Sequence, residues 1–339
     1  MYALARRLLF RLDPERAHGL TLGAIRLAGS LPVVPAILRR MYTTPEKPVQ
    51  AFGLRFMNPV GLAAGYDKDG LGWWGLACLG FGHIEVGTVT MRPQAGNPKP
   101  RIFRLPAEGA LINRMGFPGL GAAAVVRNLH ASRPPGLVLG VNLGKNNDTP
   151  LEQADQDYLA LLRIFAPLAD YLAINISSPN TVGLRRLQAR DMLEGLLAAL
   201  TTERAAQAHS LGKKVPLLVK LAPDLTGDEL EYALAVIMNA GVDGVIATNT
   251  TLSRQGVHST LASETGGLSG APLAERSRAM VARIVHLTGG NLQVIGVGGI
   301  MDPAGAQAML DAGACLVQVY TGLVYAGPGL VHRINKEIR

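Results

Sequence analysis

From Phe52 onward, short apolar runs rich in Val and Ile alternate with longer stretches of helical character. The runs fall at 60–64, 83–88, 137–143, 171–176, 217–221, 244–248, 294–297 and 316–320. They are nearly continuous in hydrophobicity, the pattern of parallel strands covered on both faces. Helical stretches lie between them at 70–79, 151–165, 191–209, 228–240, 273–287 and 303–312, and Gly241 and Gly313 follow two of these as stop signals. The longer connection from 88 to 137 carries Pro93, Pro98, Pro100 and Pro106, and reads as an elaborated loop plus a helix near 120–129. Eight buried runs with intervening helices predict an α/β fold, a (β/α)8 TIM barrel over residues 43–339. A doubly wound open sheet is the alternative. No strand–Gly-x-Gly-x-x-Gly–helix unit followed by an acidic residue about 20 positions on supports it.

Residues 1–42 have a different texture. Leu4, Leu8, Leu9 and Leu12 share one helical face, and Arg6, Arg7 and Arg11 lie on the other. Asp13-Pro14 predicts an N-cap opening a second helix. Two short helices result, ending near Pro32 and Pro35. Seven arginines against Asp13 and Glu15 place +5 of the formal +8 charge in this segment. Its longest charge-free stretch, 27–38, is broken by both prolines and falls short of the roughly 20 apolar residues of a membrane span. Arg11, Asp13 and Glu15 interrupt it too early for a signal peptide. The hairpin therefore either packs on its own domain or lies in the interface of an anionic membrane.

Composition narrows the function classes. A 48% hydrophobic fraction supplies one large core, and 5% aromatics leave no base-stacking platform, so no nucleic-acid partner is expected. Cys78 and Cys315 are too few for a disulfide framework and suit a reducing compartment. The seven histidines have no ligand spacing, so no metal is expected.

A barrel forms its active site at the C-terminal strand ends. Here those ends carry Ala64-Gly65-Tyr66-Asp67-Lys68, Thr88, Asn142, Asn175 through Thr181, Lys220, Thr248-Asn249-Thr250, Gly298-Gly299 and Tyr320-Thr321-Gly322. One polar end is ordinary turn chemistry; eight in register predict a single cup. The glycine runs 266–270 and 298–299 each precede a helix, where close backbone approach and the helix terminus favour an anion. A phosphate-bearing cofactor or substrate is expected. A phosphosugar aldolase or isomerase with Lys220 as Schiff-base lysine fits the same pattern. A non-catalytic membrane-surface binding protein that kept the barrel is a further reading, one that the polar strand ends argue against.

The strand-end residues resemble the class 2 dihydroorotate dehydrogenases, the quinone-dependent, membrane-associated branch. The resemblance spans nearly the whole chain: Asp13-Pro14-Glu15 with Ala17-His18, Ala63-Ala64-Gly65 with Asp67-Lys68, Asn113-Arg114-Met115-Gly116-Phe117, and Asn175 through Thr181 with Gly183-Leu184-Arg185. It continues through Thr248-Asn249-Thr250-Thr251 and the glycine-bearing runs to Tyr320-Thr321-Gly322, with Tyr66 where many members carry Leu.

This resemblance implies oxidation of (S)-dihydroorotate to orotate in pyrimidine (UMP) synthesis, with FMN as cofactor and a membrane quinone as acceptor. It implies a peripheral membrane protein on the cytoplasmic face of the bacterial cell membrane, attached through residues 1–42. By the same resemblance, Ala64, Gly65, Tyr66, Asp67, Lys68, Thr88, Asn142, Asn175, Lys220, Thr248, Gly270, Gly299, Tyr320 and Thr321 hold FMN. Lys68, Asn113, Arg114, Met115, Gly116, Phe117, Asn175, Asn180, Asn249 and Thr250 hold substrate, and Ser178 is the catalytic base. The soluble branch carries Cys at that position, so Ser178 and the hairpin together imply a quinone rather than fumarate or NAD. The residue types suit the chemistry. Lys220 can stabilise a reduced anion, and Asn offers both donor and acceptor. Serine is a poor base alone, so Ser178 needs a relay partner, Thr181 or a water. His18, Arg104 and Tyr320 are expected along the quinone path.

Overall fold

The computed structural model describes residues 2–130 and 133–339. Eight parallel strands close into a barrel: β1 (Val60–Leu62), β2 (His83–Val89), β3 (Val138–Leu143), β4 (Tyr171–Asn175), β5 (Leu217–Leu221), β6 (Gly244–Ala247), β7 (Gln293–Val297) and β8 (Leu316–Val319). Each strand pairs with its predecessor, and β8 returns to β1 through Val317 opposite Val60. The predicted bounds hold to within two residues at each end. Nearly every strand residue is buried. One face packs against the helices and the other fills the barrel, so continuous hydrophobicity is required.

An antiparallel hairpin, Val49–Ala51 with Leu54–Phe56, plugs the N-terminal end of the barrel with Phe52 and Phe56. Its two-residue turn has positive φ at both Phe52 and Gly53, the geometry that twists with the strands. The outer helices Ala154–Phe165, Arg190–Leu211, Gly227–Asn239, Ala274–Leu287 and Pro303–Asp311 follow the predicted order. Thr226 and Glu229 form a reciprocal capping box, and Asp302 caps Gly305.

Three expectations change. The stretch expected as a helix at 70–79 forms only Trp73–Ala77. Its glycines serve close packing instead: a side chain at Gly75 would collide with the carbonyl of Ile25. The 88–137 connection holds two strands besides the helix Ala122–Leu129. Those strands, Ile102–Leu105 and Ala110–Asn113, pair antiparallel, and Gly267–Gly270 adds a third. The glycine run expected as a phosphate loop is thus partly an edge strand above the barrel mouth.

The N-terminal segment forms three helices rather than two: Tyr2–Leu9, Pro14–Ser30 and Val34–Tyr42. Pro35 does not end a helix. It occupies the first turn of the third one, where a missing N–H costs nothing. The second and third helices meet at 109°, and among the described residues no single helix is long and apolar enough to cross a membrane. Asp13 caps the second helix by accepting from Glu15 and Arg16 N–H. Glu15 then receives both a 3.1 Å and a 2.7 Å bond from Arg101. That guanidinium holds its carboxyl below the ordinary value. Tyr2 Oη and Arg6 donate to the carbonyls of Val324 and Tyr325 at 2.5 and 2.8 Å. The segment is clamped between the three-stranded sheet and the end of the barrel.

Candidate functional site

The strand ends converge on a cavity of about 150 Å³ at the barrel mouth. Of the expected residues, Ala64, Gly65, Lys68, Thr88, Asn175, Ser178, Asn180, Lys220, Thr248, Asn249 and Thr250 line it. Gly270, Gly299, Tyr320 and Thr321 line it as well, together with Asn113, Met115, Gly116 and Phe117 from the strand Ala110–Asn113 and its continuation.

Local backbone geometry aims these groups. A bulge shifts the β2–β3 register between Val86 and Val89, turning Thr88 toward the mouth. Gly87 has φ of +112°, and a side chain there would strike the Asn142 carbonyl, so the bulge needs glycine. Thr88 Oγ1 donates to Asn142 Oδ1 at 2.6 Å, and Asn175 Nδ2 donates to Thr88 Oγ1 at 2.8 Å. Asn142 Nδ2 donates at 2.8 Å to Glu85, and Lys220 Nζ stands 3.8 Å from the same carboxyl oxygen. Burial presses the Lys220 ammonium toward neutrality, opposed by the charge of Glu85. Lys68 is likewise lowered by burial and donates to the Gly65 carbonyl at 2.8 Å.

The opposite wall is amide-rich. Asn180 Nδ2 donates to Asn113 Oδ1 at 3.1 Å, and Asn249 Nδ2 donates to Ser177 Oγ at 3.0 Å. Ser178 is buried and accepts the Asn180 N–H at 3.2 Å, an interaction that uses none of its own hydroxyl hydrogen. Thr181, expected as its relay partner, makes no hydrogen bond to it; the Thr181 hydroxyl is buried without a partner.

Four expected residues lie outside the cup. Asp67 is fully buried, and its two oxygens cap the N–H groups of Leu71 and Gly72 at 2.8 Å each, so it shapes the turn after β1. Asn142 sits beneath the cup as the link from Glu85 to Thr88. Arg114 turns outward to Glu264 at 2.5 Å and lies over the Phe103 ring. Tyr66 faces a second cavity. Conversely, Ser269 and Gln318 line the cup, and Glu85 organises its floor. A lone acid within the apolar run 83–88 and a lone glutamine within 316–320 were the available signals.

The second cavity, about 370 Å³, lies under the N-terminal helices and is lined largely by apolar groups such as Ile25, Leu111 and Leu323. His18, Arg104 and Tyr320 all border it, and Tyr320 borders both cavities. Tyr66 stands edge-on between the rings of His18 and Tyr320, at 4.9 and 5.7 Å. Burial drives His18 down to about 4, so it is neutral at neutral pH. Arg104 donates to the carbonyl of Leu9 and lies over Phe10 at 4.7 Å. Among the described residues no cluster of three metal-ligating side chains occurs.

Comparison with known proteins agrees on one family. The family model described as dihydroorotate dehydrogenase matches residues 48–339. The dihydroorotate dehydrogenase (quinone) of Roseiflexus sp. strain RS-1 is 53% identical over 340 residues, covering 100% of this chain and 93% of that one. The protein of the same name from Acidithiobacillus ferrooxidans is 52% identical over 343 residues, 99% of this chain and 94% of that one. Among solved structures, DHODH from Eimeria tenella in complex with ferulenol superposes with a TM-score of 0.87 at 39% identity, covering 96% of this chain and 90% of that chain.

Proposed function

This chain belongs to the dihydroorotate dehydrogenase family, and we propose that the cup at its barrel mouth is where it oxidises dihydroorotate to orotate with quinone as acceptor. One observation carries the assignment of the site. A polar cup with a buried lysine, a buried serine and convergent asparagines meets a largely apolar cavity at a shared residue, Tyr320. Two substrates of opposite polarity thus have separate compartments in contact at one point.

The family uses a flavin, and we assign FMN. Gly270 and Gly299, with φ of +98° and +76°, are positions where a side chain would collide with backbone, at Gly109 and Ala274 respectively. Their peptide N–H groups stand beside a helix start, a setting that suits a phosphate. The Thr250 hydroxyl and the Gln318 carbonyl oxygen are buried at the cup without partners. These features fit a phosphate-bearing group with a polar ring edge. Held by these residues, a flavin would supply the hydride acceptor for substrate oxidation and the redox link to quinone.

The remaining chemistry belongs to the chain. Ser178 Oγ takes the proton from C5 of dihydroorotate as its own hydroxyl proton leaves to a water, because Thr181 makes no hydrogen bond to it. Lys68 balances the substrate carboxylate. Asn113, Asn175, Asn180 and Asn249 match the alternating carbonyl and N–H groups of the ring, and Thr250 and residues 115–117 close around it. Lys220 holds positive charge at the floor, beneath the place where negative charge accumulates. Arg114, held by Glu264, positions this strand's continuation without entering the cup.

Residues 1–42 are assigned to membrane attachment and quinone access, and residues 43–339 to catalysis. The helix Tyr2–Leu9 turns Tyr2 and Arg6 to the barrel and leaves Leu4 and Leu8 facing outward. Leu12, Leu20, Leu27, Leu31, Ile37 and Met41 are also exposed, beside exposed Arg7, Arg11, Arg26, Arg39 and Arg40. A hairpin that merely shielded the barrel would turn its leucines inward. This outward apolar face with a basic fringe favours the interface of an anionic membrane, and we place the protein on the cytoplasmic face of the bacterial membrane.

The visible spectrum of the purified protein tests the assignment. A flavin spectrum that bleaches anaerobically on addition of dihydroorotate, and FMN released on heating, are expected. A colourless folded protein, or borohydride trapping of a sugar phosphate on Lys220, overturns it.

A further inference from the structure

Glu85 sits in the middle of β2 with no solvent exposure. Four groups converge on its carboxyl. Asn142 Nδ2 donates to Oε1 at 2.8 Å, Gln318 Nε2 and Tyr171 Oη donate to Oε2 at 2.9 and 3.0 Å, and Lys220 Nζ lies 3.8 Å from Oε1. Every one of these contacts brings a donor to the carboxyl, an arrangement made for a carboxylate. A buried carboxylate is tolerated only when paired and hydrogen-bonded, and Lys220 is its cationic partner.

We propose that Glu85 is a positioning residue of the reaction: it keeps the Lys220 ammonium charged and aimed at the floor of the cup, and through Asn142 it fixes Thr88 and Asn175 in the wall. The proposal rests on the reading that the cup holds a flavin. Its physical basis is the competition at Lys220. Burial favours the neutral amine, and the adjacent carboxylate opposes it. Without Glu85, Lys220 is an isolated cation in the barrel interior and sheds its proton at a lower pH. The other titratable groups of this interior do not replace the pairing. His83, on β2, is held down to about 3 by burial, and Tyr171, on β4, is raised well above the ordinary phenol. Lys68, which also borders the cup, carries the same charge sign as Lys220.

Glu85→Gln keeps the shape and removes the charge, and the readout is the reduction potential of the bound flavin against pH. The wild type is expected to follow one slope over roughly pH 5 to 9, a range that reaches down to where buried, unpaired lysines lose their proton. Glu85→Gln should show a break within that range. Above it, the preference for reduced over oxidised flavin falls at least about tenfold, or about 30 mV for a two-electron couple. Below it, the potential matches or exceeds the wild type. In the double variant Glu85→Gln, Lys220→Arg the break should vanish, because a guanidinium keeps its proton. A Glu85→Gln profile without a break, or a break that survives in the double variant, overturns the proposal.

A second measurement needs no variant. The ¹⁵N resonance of Lys220 Nζ in the wild type should remain that of an ammonium through neutral pH, and an amine signal there overturns the proposal even if Glu85→Gln fails to fold. Wild-type protein that purifies without flavin instead refutes the cofactor reading, while the Nζ resonance still judges the ion pair.

Discussion

Exchanging Leu4 and Leu8 together for Ser removes an outward apolar pair from the helix Tyr2–Leu9. The two side chains are 67% and 65% exposed, so most of their surface remains available to lipid. Full burial of a leucine contributes roughly 1.5–3 kcal/mol, so the exposed two-thirds of each contributes about 1–2 kcal/mol on insertion. The pair together contributes about 2–4 kcal/mol. At 1.4 kcal/mol per factor of ten, vesicle affinity should fall roughly 30- to 700-fold. The helix should stay in place. Tyr2 and Arg6 bond to Val324 and Tyr325, and Phe10 packs edge-on against Tyr325 at 5.4 Å, all on the other side. Flotation with anionic vesicles measures the affinity, and stopped-flow measures flavin reduction by dihydroorotate. Flavin reduction should be unchanged. Reduction of a long-chain quinone held in vesicles should fall with binding, while a short-chain soluble quinone should still be reduced. Vesicle affinity within about threefold of wild type would refute the attachment surface. Loss of flavin reduction would show that the leucines support the barrel instead.

Two further outcomes are expected. Ser178→Ala should retain flavin and orotate binding but slow flavin reduction by about 10²–10⁴, the usual cost of losing a general base; stopped-flow rates within a few-fold of wild type would assign the proton to another group. His83 has no hydrogen-bond partner at either ring nitrogen, and burial holds it to about 3, well below its unfolded value of 6.5. Folding therefore keeps it neutral. That contribution to stability is complete above the unfolded value and is lost as pH falls toward the folded one, at up to about 1.4 kcal/mol per pH unit. His83→Met should flatten the decline of melting temperature below pH 6.5; parallel declines in the two proteins would refute it.

The eight strands and most of the outer helices could be read from the chain because burial on both faces leaves a local mark. A strand packed inside and out must be apolar throughout, and the turn chemistry at its end is adjacent in sequence. The polar termini at Thr88, Asn175, Lys220 and Thr248 were legible for the same reason. Identifying Ser178 and the ring-binding asparagines as site candidates rested on family resemblance, since Ser and Asn alone do not declare a role. What contacts decide was not legible. Asp67 and Arg114 look like site residues, yet one is consumed in capping a turn and the other in an ion pair across 150 positions. Glu85 and Gln318 looked like isolated polar residues in apolar runs. Only barrel closure, which brings β8 beside β1 and directs alternate side chains inward, joins them to Tyr171 and Lys220. The direction of the N-terminal leucines was decided the same way. Amphipathic spacing gives a helix two faces, but the bonds of Tyr2 and Arg6 to the helix Thr321–Ala326 determine which face is left exposed.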